Sequence, residues 1–354
     1  MDSTGDRLPL LAGKQCDEPS RSWQRLALIG MAGVVVGGLA AVAVLSSTMR
    51  STDVAGAATS TPARPVVTSN PIIGIHAHES LFHDEFIASS YVKWIESAGG
   101  RAVRIPYNTS TDKLARLLSS VNGVLFPGGY GDPPESAWFM YNYAIEVNSN
   151  GTYFPLWGTC LGLEWLVKLS SQDHSILDHV DARNVTSNLT FLDNALETSR
   201  MFGFSPSFRA LETAALSFNY HQWAITLDHF MATPVLRAFF RPLATSVDRQ
   251  GVVYVAAIEA RTMPIYGIQF HPEKNPYEFG HNKLGAHYAI DHSYDAILAS
   301  QAFAHFFIRE AQQNNHTFES PSEEQAALLY NQHTTNRSYP SYEEILVFAS
   351  DDGH

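Results

Sequence analysis

Cys160 and His271 are the residues in this chain best suited to nucleophilic chemistry, and each stands where a strand should end. Cys160 lies in YFPLWGTCLGLEWLV, Tyr153 to Val167. Tyr153 to Trp157 reads as a buried strand, Gly158 and Gly162 bracket a tight turn, and Leu161 to Leu169 reads as a helix that starts at once. A nucleophile between two glycines at a strand-to-helix turn is the nucleophile-elbow arrangement, here with cysteine in place of serine. The glycines suit a strained backbone that reacting groups approach closely. The helix N-terminus aims N–H groups at the sulfur, which favours thiolate over thiol. A buried structural cysteine is the plain alternative. The two glycines and the strand-to-helix switch favour the nucleophile.

His271 follows the apolar run Pro264 to Phe270, and Glu273 stands two residues on. That order suits a general base oriented by a carboxylate. The two side chains share one side if the chain stays extended, with Pro272 stiffening the link. For His271 alone a hydrogen-bonded loop histidine is an equal reading. Val121 to Phe126 ends in Pro127-Gly128-Gly129, by itself an ordinary turn. If this turn and Cys160 share a sheet edge, the N–H groups of Gly129 and Leu161 could form an oxyanion hole. His221, in the aromatic segment Phe218 to Trp223, is either a substrate contact or a buried histidine. His76, His78 and His83 cluster near a strand end. They could bind a metal, but no carboxylates flank them at matching spacing, so a solvated or hydrogen-bonded loop is the preferred reading.

These residues need a scaffold, and the chain offers strands and helices in alternation. Pro71 to Ile75, Arg101 to Ile105 and Val121 to Phe126 read as strands, and Glu85 to Ala98, Thr111 to Ser119 and Pro134 to Asn148 as helices, with Ser110 a cap. The order predicts an α/β fold: a doubly wound, mostly parallel sheet with helices on both faces. Ligand chemistry in such sheets gathers at the carboxyl ends of the strands. His179 to Val255 loosens into short alternating runs that read as hairpins over the core. Gly251 to Glu259 and Pro264 to Phe270 resume strand character, Tyr294 to Gln313 reads as a long helix packing back on the sheet, and 321–354 as a polar tail with one last strand or helix piece.

Bulk properties narrow the function. The formal charge is −12, with no basic stripe, which argues against nucleic acid as a partner. An anionic substrate remains compatible, provided local cations line the site. Two cysteines, Cys16 and Cys160, exclude a disulfide framework and a multi-cysteine zinc site. Leu26 to Leu45 is an uncharged apolar run long enough to span a bilayer, and Arg21 and Arg25 before it favour a cytoplasmic N-terminus. The expected order is a cytoplasmic tail (1–25), an uncleaved signal anchor (26–45), a Ser/Thr/Ala/Pro-rich stalk (46–70) and a catalytic domain (71–320), with signal cleavage as the second choice. Sequons at Asn108, Asn150, Asn184, Asn188, Asn315 and Asn336 agree with an extracytoplasmic domain. Cys16 and Cys160 would then lie on opposite sides of the membrane, leaving Cys160 a lone thiol in an oxidising compartment.

With Phe-Pro-Gly-Gly, Gly-Thr-Cys-Leu-Gly-Leu-Glu and Gln-Phe-His-Pro-Glu-Lys in order, the chain resembles the gamma-glutamyl hydrolases, class I glutamine-amidotransferase-like cysteine peptidases. The likeness runs from about Arg64 to about Tyr330; SYVKWIESAGG, NYHQW and FHPEKNPYEF point to the hydrolase branch. The resemblance implies hydrolysis of γ-linked glutamate from folylpoly-γ-glutamates, without a cofactor. It makes Cys160 the nucleophile, His271 the acid/base and Glu273 the orienting group. It gives Gly129 and Leu161 to the oxyanion hole, and Glu164 and His221 to the neighbourhood of the substrate. It also implies a homodimer, while the anchor and the sequons, not the resemblance, give the expected vacuolar, lysosome-like or extracellular location. A glutaminase subunit would share the triad, and a membrane-tethered binding protein would share the fold without the chemistry.

Overall fold

Short β-branched strands and amphipathic helices alternate through the first half of the chain and set one large sheet. The structure is a computed structural model and describes residues 65–80, 84–280, 287–335 and 342–349. All of them belong to one compact unit, Ser60–His354. The expected cytoplasmic tail, the membrane anchor and most of the stalk lie outside the described residues, as do Cys16, His83 and Asn336. Among the described residues no helix is long and apolar enough to cross a membrane.

The chain opens with β1 (Ile72–His76), β2 (His78–Glu79), β3 (Glu85–Ala88) and α1 (Ser89–Ser97). It continues through β4 (Arg101–Ile105), α2 (Thr111–Leu118), β5 (Gly123–Phe126), α3 (Glu135–Ser149), β6 (Leu156–Thr159) and α4 (Leu161–Ser171). The middle holds β7 (Asp178–Ser187), β8 (Thr190–Phe191), α5 (Ala195–Thr198), α6 (Ala210–Thr213) and β9 (Ser217–Ala224). Then come α7 (Leu227–Ala232), α8 (Pro234–Phe239), β10 (Phe240–Val247), β11 (Val253–Ala260) and β12 (Ile265–Ile268). The last elements are α9 (Lys274–Tyr277), α10 (Tyr294–Ala311), α11 (Pro321–Ala327) and β13 (Ile345–Phe348).

Eight strands form the main sheet in the order β4-β1-β5-β6-β12-β11-β10-β8. The first five are parallel, and β11, β10 and β8 continue it antiparallel. Both faces are covered, as the predicted doubly wound fold requires. On one face Trp157 packs against Phe303 and Phe307 of α10, with ring centroids 6.2 and 5.6 Å away. On the other, Phe126 meets Trp165 of α4 edge-on at 5.6 Å. Continuous burial of β1, β5, β6 and β12 is what a parallel sheet covered on both faces demands. The Ser110 cap is present, its Oγ accepting the Lys113 N–H at 3.4 Å.

Two expectations change here. Glu85 to Ala88 is not the first turn of a helix but a strand, paired on one side with β2 and on the other with β13. Its partner comes from the far end of the chain, within the expected polar tail, and there Ile345 and Leu346 are buried. Residues 179–255 do contain an antiparallel ribbon, β7 with β9, but four short helices, α5 to α8, lie among the strands. Each is only four to six residues long, too short to show a helical period.

Candidate active site

Cys160 is pinned where two parallel strands end side by side. β6 pairs with β12 through Thr159 and Ile268, and the Cys160 N–H donates to the Ile268 carbonyl at 2.8 Å. The chain then turns into α4, whose first bond runs from the Glu164 N–H to the Cys160 carbonyl at 3.1 Å. The turn is made by Cys160 itself, at φ 53 and ψ −107. That conformation costs on the order of 1–3 kcal/mol for a residue with a side chain. The flanking glycines serve close approach instead. A Cβ on Gly158 would fall 2.5 Å from the Gly162 carbonyl carbon, and one on Gly162 would fall 2.2 Å from the Phe126 oxygen. The strain the sequence assigned to the glycines is therefore carried by the cysteine.

The expectation of a thiolate at rest is also corrected. Burial pushes the Cys160 thiol well above its ordinary pKa, and the Glu164 and Glu273 carboxylates push the same way. The Leu161 N–H and the Lys274 ammonium pull it down without outweighing them. Helix-end polarity is a modest effect, whereas desolvation of a buried anion is a large one. The resting sulfur is a thiol, and its proton must leave during the reaction.

His271 and Glu273 follow β12, three and five residues beyond Ile268. His271 Nδ1 stands 2.7 Å from Glu273 Oε1, and both side chains are buried. They meet across a turn that leads into α9, with Glu273 in helical conformation, not along an extended segment. The His271 ring lies against the turn after β5: a Cβ on Gly128 would fall 2.4 Å from its Cε1. The His271 backbone N–H donates to the Phe218 carbonyl of β9 at 2.9 Å.

Five of the residues singled out from sequence line one cavity of about 620 Å³: Gly129, Cys160, Leu161, Glu164 and His221. Glu164 is buried, accepts Gln269 Nε2 at 3.1 Å, and is raised to about 7, chiefly by burial. His221 is both things the sequence left open, a buried histidine and a cavity residue. Its Nδ1 lies 3.1 Å from the Trp223 carbonyl and its Nε2 3.2 Å from Asn219 Oδ1. Burial first, and then His271, lower it to about 3, against the Trp223 carbonyl, which favours the charged ring.

The cavity adds residues that the sequence pattern did not single out. Lys168 and Arg183 bring positive charge to a chain of net −12. Lys168 pairs with Asp132 at 2.6 Å and lies one helical turn after Glu164, a spacing that could have drawn attention to it. Tyr130, Tyr220 and Trp223 present exposed aromatic faces at the cavity wall. Trp165 Nε1 donates to the Gly131 carbonyl at 3.0 Å, tying the turn after β5 to α4.

His76 and His78 are not solvated. Both are buried behind that turn, edge-on to Trp165 at 5.4 and 5.9 Å. His76 Nε2 bonds Ser136 Oγ at 2.9 Å, and His78 Nε2 bonds the Gly128 carbonyl at 3.0 Å. Among the described residues no group of three or more histidine, cysteine or acidic side chains could hold a metal ion.

Comparison with known proteins gives the kinship of the chain. Residues 84–289 match the family Glutamine amidotransferase class-I. Gamma-glutamyl hydrolase B of Dictyostelium discoideum is 34% identical over 296 residues, 80% of this chain and 84% of that protein. Gamma-glutamyl hydrolase of Bos taurus is 36% identical, over 83% of this chain and 94% of that protein. Gamma-glutamyl hydrolase of Homo sapiens is 39% identical, over 69% of this chain and 77% of that protein. On fold, site and kinship together, this chain belongs to the gamma-glutamyl hydrolase family of class I glutamine-amidotransferase-like proteins.

Proposed function

We propose that this protein hydrolyses γ-glutamyl bonds of folylpoly-γ-glutamates by acyl transfer through Cys160. One observation carries the mechanism: a buried cysteine on a strained strand-to-helix turn shares a sheet edge with a histidine whose Nδ1 is held by a carboxylate at 2.7 Å. With Nδ1–H donating to Glu273, the His271 Nε2 lone pair is the base. It takes the thiol proton as Sγ attacks the γ-carbonyl carbon, and Glu273 stabilises the imidazolium. The oxyanion receives the N–H groups of Gly129 and Leu161. His271 then gives its proton to the departing glutamate nitrogen, the C–N bond breaks, and a thioester remains on Cys160. Water attacks the thioester with His271 again as base, releasing the shortened chain and the thiol.

The substrate tail carries one α-carboxylate per glutamate. Lys168 and Arg183 supply the local cations that such a chain requires at the mouth of an acidic protein. Glu164 and His221 border the same space as substrate contacts. Incubation with a pteroylpentaglutamate, following chain length with time, tests the reading. Loss of glutamate supports it, whereas activity confined to free glutamine supports a glutaminase instead.

The same proposal includes an extracytoplasmic catalytic domain, in a lysosome-like or vacuolar lumen or outside the cell, tethered through residues 26–45. Its supports are the apolar run and the exposure of the sequons at Asn108, Asn150, Asn188 and Asn315. Unchanged gel mobility after endoglycosidase treatment would count against it. A homodimer belongs to the proposal too, and sedimentation velocity tests it.

A further inference from the structure

The peptide joining Gly128 to Gly129 governs one half of the proposed oxyanion hole. A trans peptide is planar, with its C=O and N–H pointing in opposite directions. The Gly128 carbonyl and the Gly129 N–H therefore turn as one body. Glycine on both sides leaves this unit free to flip, because glycine adopts positive and negative φ alike. Side-chain contacts must choose its orientation.

His78 makes one of those contacts. Its Nε2 lies 3.0 Å from the Gly128 oxygen, and against a carbonyl the ring nitrogen is the donor. His78 is 6% exposed, and a Cβ on Gly129 would fall 2.8 Å from the same Nε2. Tyr91 holds the preceding peptide, its hydroxyl accepting the Gly128 N–H at 2.7 Å. Burial lowers His78 to about 4, against the smaller opposing pull of the Gly128 and Pro127 carbonyls, so the ring is neutral with a single N–H, and Gly128 is the carbonyl within hydrogen-bond distance of Nε2. On the other side of the peptide, Gly129 lines the Cys160 cavity, and among the described residues its N–H meets no acceptor. His76 does something different: Ser136 Oγ donates to the Tyr107 carbonyl at 2.7 Å and so accepts from His76, fixing the start of α3.

We propose that His78 is a positioning residue for the reaction: its Nε2–H holds the Gly128 carbonyl, and the planar peptide thereby aims the Gly129 N–H at the oxyanion formed when Cys160 attacks. The inference rests on the acyl-transfer reading above. His78 touches neither substrate nor Cys160.

The test compares His78→Leu, which removes the donor, with His78→Gln, which keeps an amide N–H at similar reach, in the full chain. Two rates are read: turnover of a γ-glutamyl substrate, and alkylation of Cys160 by iodoacetamide, a displacement that forms no oxyanion. His78→Leu should lower kcat about 10²-fold with KM and alkylation within about twofold, the signature of a hydrogen bond that acts only in the transition state. His78→Gln should return kcat to within about fivefold of the native value. Native kcat in His78→Leu overturns the proposal, as does an equal loss in His78→Gln, which makes the ring mere packing. A parallel fall in alkylation overturns it too, since the defect would then lie in the elbow. If His78→Leu does not fold, His78→Asn replaces it, with the amide set back out of reach; equal kcat in the Asn and Gln variants is then the contrary result. Failure of the acyl-transfer reading itself shows elsewhere, as native turnover by Cys160→Ala whatever stands at position 78.

Discussion

His271 Nδ1 and Glu273 Oε1 stand 2.7 Å apart, joined across a turn in which both side chains are buried. The bond fixes one tautomer, with the proton on Nδ1 and the lone pair on Nε2. Replacing Glu273 by Gln leaves the shape but removes the charge, and lets the amide donate to Nδ1 and favour the wrong tautomer. Glu273→Gln should lower kcat by roughly 10²–10⁴-fold with little change in KM. Steady-state kinetics on a γ-glutamyl substrate measures this; a loss confined to KM would mean that Glu273 serves binding.

Glu164 should control the acidity of the nucleophile. After burial it is the largest influence raising the Cys160 thiol, and its own carboxyl sits at about 7. Glu164→Gln therefore removes a negative charge beside the sulfur above neutral pH. The pH profile of Cys160 alkylation by iodoacetamide should move to lower pH in this variant. Superimposable profiles would show that the two groups do not interact.

The same carboxyl couples stability to pH. Its ordinary value is 4.5 and its folded value about 7, so between these the unfolded chain gives up the proton first. Stability from this group is complete below 4.5 and is lost as pH rises towards 7, by on the order of 3 kcal/mol. Urea unfolding at pH 5 and pH 8 should show a larger drop for the native protein than for Glu164→Gln. Equal drops would contradict the assignment.

Gly162 is a packing position. A Cβ there meets the Phe126 oxygen at 2.2 Å, and neither the sheet nor the elbow can yield without moving Cys160. Gly162→Ala should destabilise the fold by about 3 kcal/mol, read as a lower urea midpoint, and should lose activity. A stable and active Gly162→Ala would mean that the turn is more pliable than its contacts indicate.

Arg183, exposed at the cavity wall, should matter more as the substrate tail lengthens. Arg183→Ala should raise KM for a pentaglutamate roughly 10-fold and for a diglutamate much less, with kcat nearly unchanged. The same KM change for both would place the cation away from the tail.

Legibility in the sequence follows the range of the interactions. The elbow, the strand ends and the His271–Glu273 pair can be read because each is written in a few consecutive residues. The β3 strand reads as helix because its partner β13 comes from the far end of the chain and leaves no local mark. The bonds of Tyr91 and His78 to Gly128 cannot be read from the sequence, which offers His78 only as one of a histidine cluster, since they are set by tertiary packing alone. The resting state of Cys160 is hidden for a related reason: the helix end is local, whereas the burial that outweighs it is a property of the whole fold.

The central claim is a covalent acyl group on Cys160, and mass spectrometry tests it most directly. Native protein and Cys160→Ala are mixed with pteroylpentaglutamate, quenched in acid within seconds and digested. The mechanism predicts an acyl adduct confined to the Cys160 peptide and removed by hydroxylamine. It predicts no adduct in Cys160→Ala, with turnover reduced by about 10⁴-fold or more. Native turnover by Cys160→Ala, with no adduct on the native protein, would contradict it.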